Sequence, residues 1–430
     1  MQVFQSIITF ITSLPSAGFV GILMGLLCLA FGGGWKAAIR ACCAFCVGIT
    51  GINLIVNNCV TTMQGVATGL SARFGISKPI IDGGYGALAG MNFFIQVQYL
   101  ALFIILIIDI IFIGLGWTKV LWVDIHNSWH GAFGGILCYC LTGDYVYAII
   151  VTVLSYIVLM FVAEFVGPTF SEFNKTPNIT SIAGITSLAG VFAWLVMKVI
   201  NLIPGLKDMS ADSEAITDKL GIFGESMIIG MVVGLILGVA AGFNLADTIN
   251  CGIVLASTMA IFPKMAAFVC EGIVPVTTTL MMFMKKRFPG RKDLYLCVDA
   301  ACFLGDPSVM ATYVLLVPII IIICMFVPAI GFIPVASLAG MVYVVGGIAP
   351  YCKGNIVHML IVSALYMTLT AFLATKLAPA ITQINLSSGM YTETLSLENG
   401  VYMTCFDEGG GILPNLVVFI TKLLGKTTLY

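Results

Sequence analysis

Apolar residues fill this chain in long runs, and the few charged positions mark where the runs stop. No charge falls between Arg40 and Arg73, Asp82 and Asp109, Asp144 and Glu164, Lys175 and Lys198, Glu225 and Asp247, or Lys353 and Lys376. A charge at the bilayer centre costs about 3 kcal/mol on insertion scales, so charge-free windows of about 20 residues read as helices that cross lipid. The window from Asp306 to Lys353 is long enough for two such helices, with the break near Gly331 and Pro334. Further apolar stretches surround 18–34, 248–270 and 409–424. The pattern predicts an all-α polytopic membrane protein of about ten to twelve membrane segments, some of them re-entrant.

Polar residues gather in three connectors, Ser71 to Gly86, Ile203 to Gly224 and Met284 to Asp299. The last holds Lys285, Lys286, Arg287, Arg291 and Lys292, which assigns it to the cytoplasmic side by the positive-inside rule. The stretch from Pro204 through Lys219 reads as a linker helix. It divides the chain into a first half (1–203), a cytoplasmic or interfacial linker (204–224) and a second half (225–430). Two echoes support the division. Gly21-x3-Gly25 with Gly32 and Gly33 resembles Gly230-x3-Gly234 with Gly238 and Gly242. The polar-headed segment opening at Lys119-Val-Leu-Trp-Val-Asp124 resembles the one at Asp293-Leu-Tyr-Leu-Cys-Val-Asp299. Paired broken-helix signals in corresponding places point to a transporter with its site at a repeat interface, chance likeness between glycine-rich spans being the alternative.

Composition excludes the other broad classes. Of 430 residues, 60% are hydrophobic and only 9% charged, against the roughly 25% of soluble domains. Mean hydropathy is +1.08. The net charge of -1 gives no field that would draw in nucleic acid. The first 20 residues lack a basic region and a small-residue cleavage site, so no removable signal peptide is expected. Cys42, Cys43, Cys46, Cys138, Cys140 and Cys324 lie in apolar runs and read as packing residues. No Walker loop, HExxH or GxSxG occurs, so ATP hydrolysis and proteolysis have no visible engine.

Ionisable groups held at membrane depth are the candidates for chemistry. His126 and His130 stand four apart, with Asn127 between them and Asp124 at the helix start. That spacing suits hydrogen bonding to a polar ligand or a bond between helices, and no metal is expected. Glu225 heads a charge-free span, either turned inward or capping the helix. Asp306 precedes Pro307 and fits the start of a helix after a break. Tyr85, in the glycine-rich turn Asp82-Gly-Gly-Tyr-Gly86, offers an aromatic face or belongs to a plain turn. Thr180-Ser181 and Thr186-Ser187 line an apolar segment, as Asn53, Asn57 and Asn58 line another, and suit a polyol or bonds between helices. Asp407-Glu408-Gly-Gly-Gly411 reads as a solvated loop before the last apolar stretch.

Val123-Asp-Ile-His-Asn-Ser-Trp-His130, Leu220-Gly-Ile-Phe-Gly-Glu225, Val298-Asp-Ala-Ala-Cys-Phe-Leu-Gly305 and Phe406-Asp-Glu-Gly-Gly410 together give the chain a family likeness. It resembles the galactitol-type enzyme IIC of the bacterial phosphoenolpyruvate-dependent sugar phosphotransferase system, in the ascorbate-galactitol superfamily. The resemblance implies a homodimeric permease of the bacterial inner membrane, with a core and scaffold built from two inverted repeats and an elevator-type motion. It implies no cofactor and no phosphorylation site on the permease itself. A phosphocysteine on a separate enzyme IIB, recharged by enzyme IIA, phosphorylates the translocated sugar or polyol. The basic loop Lys285, Lys286, Arg287, Arg291 and Lys292 is the expected docking site for enzyme IIB. Tyr85, His126, Asn127, His130, Thr186, Ser187, Glu225 and Asp306 are the expected substrate contacts. Leu304-Gly305-Asp306 and Ile182-Ala-Gly-Ile-Thr-Ser187 replace histidine-containing steps of galactitol permeases, so another pentitol, hexitol or related sugar is open. An ion-coupled secondary transporter using Glu225 and Asp306 is the alternative reading.

Overall fold

A computed structural model describes residues 16–122, 129–209, 226–287, 294–298, 300–334 and 336–425. The first half opens with α1 (Ser16–Ala30), a tight turn and α2 (Trp35–Phe74). After strand β1 (Ile80–Asp82), a run of 3-10 turns (Gly84–Phe94) leads into α3 (Ile95–Leu115). Strand β2 (Val120–Leu121), α4 (Trp129–Thr142), α5 (Tyr145–Phe173), β3 (Ile179–Thr180) and α6 (Gly184–Ile200) follow. The second half opens with α7 (Ser226–Ala240) and α8 (Leu245–Arg287). Then come β4 (Tyr295–Cys297), a 3-10 turn (Ala300–Phe303), α9 (Pro307–Phe326) and a second such turn (Ala336–Gly340). The chain closes with α10 (Met341–Cys352), α11 (Ile356–Ser387), β5 (Tyr402–Thr404) and α12 (Ile412–Leu423).

The helices start and stop where local chemistry allows. Asp144 accepts from the amides of Val146 and Tyr147 at the head of α5, and Asn355 accepts from Val357 at the head of α11. Gly75, with φ +64°, closes α2 in the left-handed conformation. Buried threonines along the apolar helices bond back to their own backbone, as Thr152 does to the Ala148 carbonyl at 2.9 Å, which satisfies the hydroxyl without water. Tyr145–Phe173, Pro307–Phe326 and Ile356–Ser387 are each long and apolar enough to cross a membrane, and several shorter apolar helices accompany them. This is a predominantly helical membrane protein.

The two longest helices cross in opposite directions through their glycines. A Cβ added at Gly48 would lie 2.6 Å from the Val269 nitrogen, one at Gly51 2.3 Å from Met265 Sδ, and one at Gly272 2.6 Å from the Phe45 nitrogen. Rising positions on α2 therefore meet falling positions on α8. At 1.5 Å per residue α2 reaches roughly 60 Å, about twice the hydrocarbon thickness of a bilayer.

Short parallel strands tie the halves together. In one sheet β4 runs between β2 and β3, with Val120 opposite Tyr295 and Ile179 opposite Leu296. In the other, β1 pairs with β5 and, on its far edge, the Ile80 amide donates to the Gly331 carbonyl at 3.1 Å. Each half thus lends one strand to be flanked by two segments of the other. The stretches after Lys119 and Asp293 are hydrogen-bonded neighbours.

The break expected near Gly331 and Pro334 is present between α9 and α10. The linker departs from expectation where it is described: 201–209 form turns instead of helix, with Gly205 at φ +90°. Its carbonyls are held by α11, Leu206 by His358 Nε2 at 2.9 Å and Met209 by Asn355 Nδ2 at 2.8 Å. The remainder of the linker lies outside the described residues.

Candidate functional site

The non-helical strap between β5 and α12 carries Asp407 and Glu408 into the protein interior. Two glycines let it pass there. A Cβ at Gly409 would stand 2.2 Å from the Cys405 carbonyl oxygen, and one at Gly410 would stand 2.8 Å from Thr370 Cβ. The expected solvated loop is therefore corrected: Glu408 is only 4% exposed and the Asp407 side chain 7%. Facing them is His130, at the second position of α4 and 5% exposed, with Nδ1 2.7 Å from Glu408 Oε1 and 3.7 Å from Asp407 Oδ1.

These three side chains line one cavity of about 450 Å³, part of it open to solvent. Gly184 and Ile185 at the amino end of α6, and Ile412 and Leu413 at that of α12, reach the same space. Tyr366 and Thr370, four apart on α11, add hydroxyls, and Leu159, Leu188, Val344, Met367 and Phe406 supply apolar wall. The Thr370 hydroxyl donates to the Met367 carbonyl at 3.0 Å, which leaves its lone pairs for a donor.

The electrostatics follow from burial. Loss of water pushes the Asp407 carboxyl up to about 7, with the nearby imidazole pulling the other way and the Glu408 charge adding to the rise. Burial raises Glu408 well above the usual carboxylate range. The His130–Glu408 contact accommodates one proton in two ways, as imidazole Nδ1–H donating to a carboxylate or as a carboxylic acid donating to Nδ1. Among the described residues, none donates a hydrogen bond to Asp407 at normal distance, and its ion-pair neighbour His130 stands 3.7 Å away. One ligand atom from each of His130, Asp407 and Glu408 falls within 4.8 Å of the others, a grouping that also suits a small cation.

The raised Asp407 carboxyl has a consequence for stability. Its ordinary value is 3.8, so between about pH 4 and pH 7 the folded protein holds a proton that the unfolded chain has lost. Stability contributed by this group is complete below about pH 4 and declines as pH rises through 7, by a few kcal/mol at about 1.4 kcal/mol per unit. Thermal unfolding in detergent is expected at lower temperature at pH 8 than at pH 5, and Asp407→Asn is expected to reduce the difference, the buried Glu408 carrying the remainder.

Of the other expected contacts, Tyr85 is 49% exposed and meets the site through one intermediary. Its ring is edge-on to Trp129 at 6.5 Å, and Trp129 stacks on His130 at 3.9 Å. Thr186 and Ser187 are fully buried one turn into α6, next to cavity residues but not among them. Ser187 donates to the Ser181 carbonyl at 2.5 Å. Asp306 caps α9, accepting from the Ser308 amide at 2.9 Å and its hydroxyl at 2.5 Å, and is not among the residues that line the cavity. His126, Asn127, Glu225, Arg291 and Lys292 lie outside the described residues. Lys285, Lys286 and Arg287 end α8, where Lys286 is exposed. Sequence reasoning missed Asp407, Glu408, Tyr366 and Thr370 as site residues. The available signals were a glycine triplet beside two carboxylates and two hydroxyls at helical spacing in an apolar run.

The model of the PTS system sugar-specific permease component family matches residues 10–394. The chain belongs to that family. The match covers most of the chain and stops short of Asp407 and Glu408. The permease is 27% identical over 380 residues to a protein of Escherichia coli (strain K12) described as a permease IIC component, covering 88% of this chain and 87% of that one. It is 24% identical over 372 residues to the PTS system galactitol-specific EIIC component of the same strain, covering 86% and 81%. The galactitol-specific EIIC component of Escherichia coli O157:H7 gives the same values.

Proposed function

We propose that the permease carries a neutral polyol, galactitol or a related alditol, through the inner membrane, and that His130, Asp407 and Glu408 hold its hydroxyls. The observation that carries this reading is the buried triad facing a cavity in a chain of the sugar permease family. Carboxylate oxygens accept from hydroxyls, and the His130–Glu408 pair can take up the proton that a hydroxyl loses when it is phosphorylated. Apolar side chains beside these groups suit the carbon skeleton. The galactitol-specific relatives supply the substrate class.

In this reading the phosphoryl group comes from the phosphocysteine of an enzyme IIB, itself recharged by enzyme IIA, and the basic end of α8 with the connector after it receives that partner. Cells given the permease without enzyme IIB are expected to accumulate no phosphorylated substrate. Phosphorylated alditol appearing under those conditions would remove the group-translocation reading.

The two halves act as inverted repeats within a homodimer that moves its core by an elevator-type displacement. Support for the repeats comes from helix lengths and turns. α1 and α7 have 15 residues each, α2 and α8 have 40 and 43, and Gly32 and Gly242 take φ of +91° and +78° in the intervening turns. Corresponding helices that run antiparallel across a bilayer require an axis lying in the membrane plane. The cavity draws on corresponding elements of the two halves, α4 with α10 and α6 with α12.

A further inference from the structure

We infer that Asp82 and Ser337 form a positioning relay that sets the Asp407–Glu408 strap at the transport site; the inference rests on the site reading above. Asp82 closes β1, directly opposite Thr404 of β5, and the Gly83 amide donates to the Thr404 carbonyl at 2.9 Å. Its carboxylate receives the Ser337 amide on Oδ2 at 2.9 Å, and the Gly84 amide at 3.1 Å and the Ser337 hydroxyl on Oδ1. The Ser337 Oγ in turn accepts the Phe406 amide at 3.0 Å. Phe406 directly precedes the two site carboxylates and itself lines the cavity.

The polarity of this chain is fixed. A hydroxyl has one proton, and Ser337 sends it to an acceptor-only carboxylate, so its lone pair is what remains for the Phe406 amide. The aspartate thus orients the serine, and the serine orients the strap. Ser337 is buried at 5% exposure, so losing either bond carries the cost of an unsatisfied buried polar group. Gly84 makes the approach possible: it sits at φ +51°, and a Cβ there would lie 2.8 Å from the Ala336 backbone. Removing the serine hydroxyl leaves the Phe406 amide unpaired and frees the strap to shift by the fraction of an ångström that hydroxyl recognition does not tolerate.

The test uses the full chain in detergent with galactitol, mannitol, glucitol and ribitol as probes, together with hydrogen exchange of peptides covering 402–411. Ser337→Ala is expected to raise exchange in that strap and weaken the best alditol at least about tenfold, while Ser337→Thr, which keeps the hydroxyl, restores both. Asp82→Asn, which replaces one accepting oxygen with an amide NH2 that faces groups that donate, is expected to fall between them and serves if the alanine variant does not fold. Exchange in the strap unchanged in Ser337→Ala, or alditol affinity within twofold of the parent, overturns the relay. Glu408→Gln separates the two levels of argument. Lost binding there with intact binding in the relay variants removes only the relay. Unchanged binding in Glu408→Gln removes the site itself.

Discussion

Glu408→Gln and His130→Ala are each expected to eliminate alditol-induced thermal stabilisation of the purified permease, with affinity falling about 100-fold while expression and monodispersity survive. The size follows from what each change removes. A hydrogen bond involving a charged partner is worth about 1.5–3 kcal/mol, and about 1.4 kcal/mol is a factor of ten in affinity. The variant also disturbs its neighbour: without the imidazole, Glu408 and Asp407 face one another in a site where both are buried. Two carboxylates in that position resist ionising together, so His130→Ala changes the charge of the pocket as well as its shape. His130→Gln, which keeps a donor at similar reach, should recover part of the loss. Calorimetric affinities for galactitol and mannitol within threefold of the parent in both Glu408→Gln and His130→Ala would place recognition elsewhere.

The family and the helical membrane architecture were legible in the sequence because both depend on features that persist along the chain. Charge-free windows survive any tertiary arrangement, since lipid penalises a charge wherever the helix packs. The site was only half legible. His130 stood out as one of three histidines in the chain, and the structure places it in the cavity. Asp407 and Glu408 did not, because two adjacent acids before a glycine run have the composition of a surface loop. Only the third dimension, the strap passing between α11 and α4, turns that composition into a buried pair. Asp306 shows the converse ambiguity. A lone acid at a helix break has two uses, and here its carboxylate is consumed by Ser308 at the head of α9. Thr186 and Ser187 carry the same lesson: spacing identifies a face of α6 without saying that the face turns into the next helix.

That face also gives the second large effect, at Gly347 of α10. A Cβ there would stand 2.0 Å from the Thr186 carbonyl oxygen and 2.8 Å from its carbon, and these are backbone atoms that cannot rotate aside. Gly190, one turn further along α6, has the Gly347 carbonyl oxygen 3.2 Å from where its own Cβ would be, so the two helices meet backbone to backbone at this point. Gly347→Ala must therefore push α6 and α10 apart as bodies. Overpacking of this kind typically costs about 1–3 kcal/mol, at the upper end where backbone has to give. The displacement also reaches the site, because Val344 on α10 and Gly184, Ile185 and Leu188 on α6 line the same cavity. Gly347→Ala is expected to unfold in detergent at clearly lower temperature and to bind alditol at least about tenfold more weakly. Gly114→Ala on α3 is the control, since nothing lies within 4 Å of its Cβ position and its backbone is helical. A Gly347→Ala protein that melts and binds like the parent would mean that α6 and α10 already sit further apart, and the cavity they share would have to be redrawn.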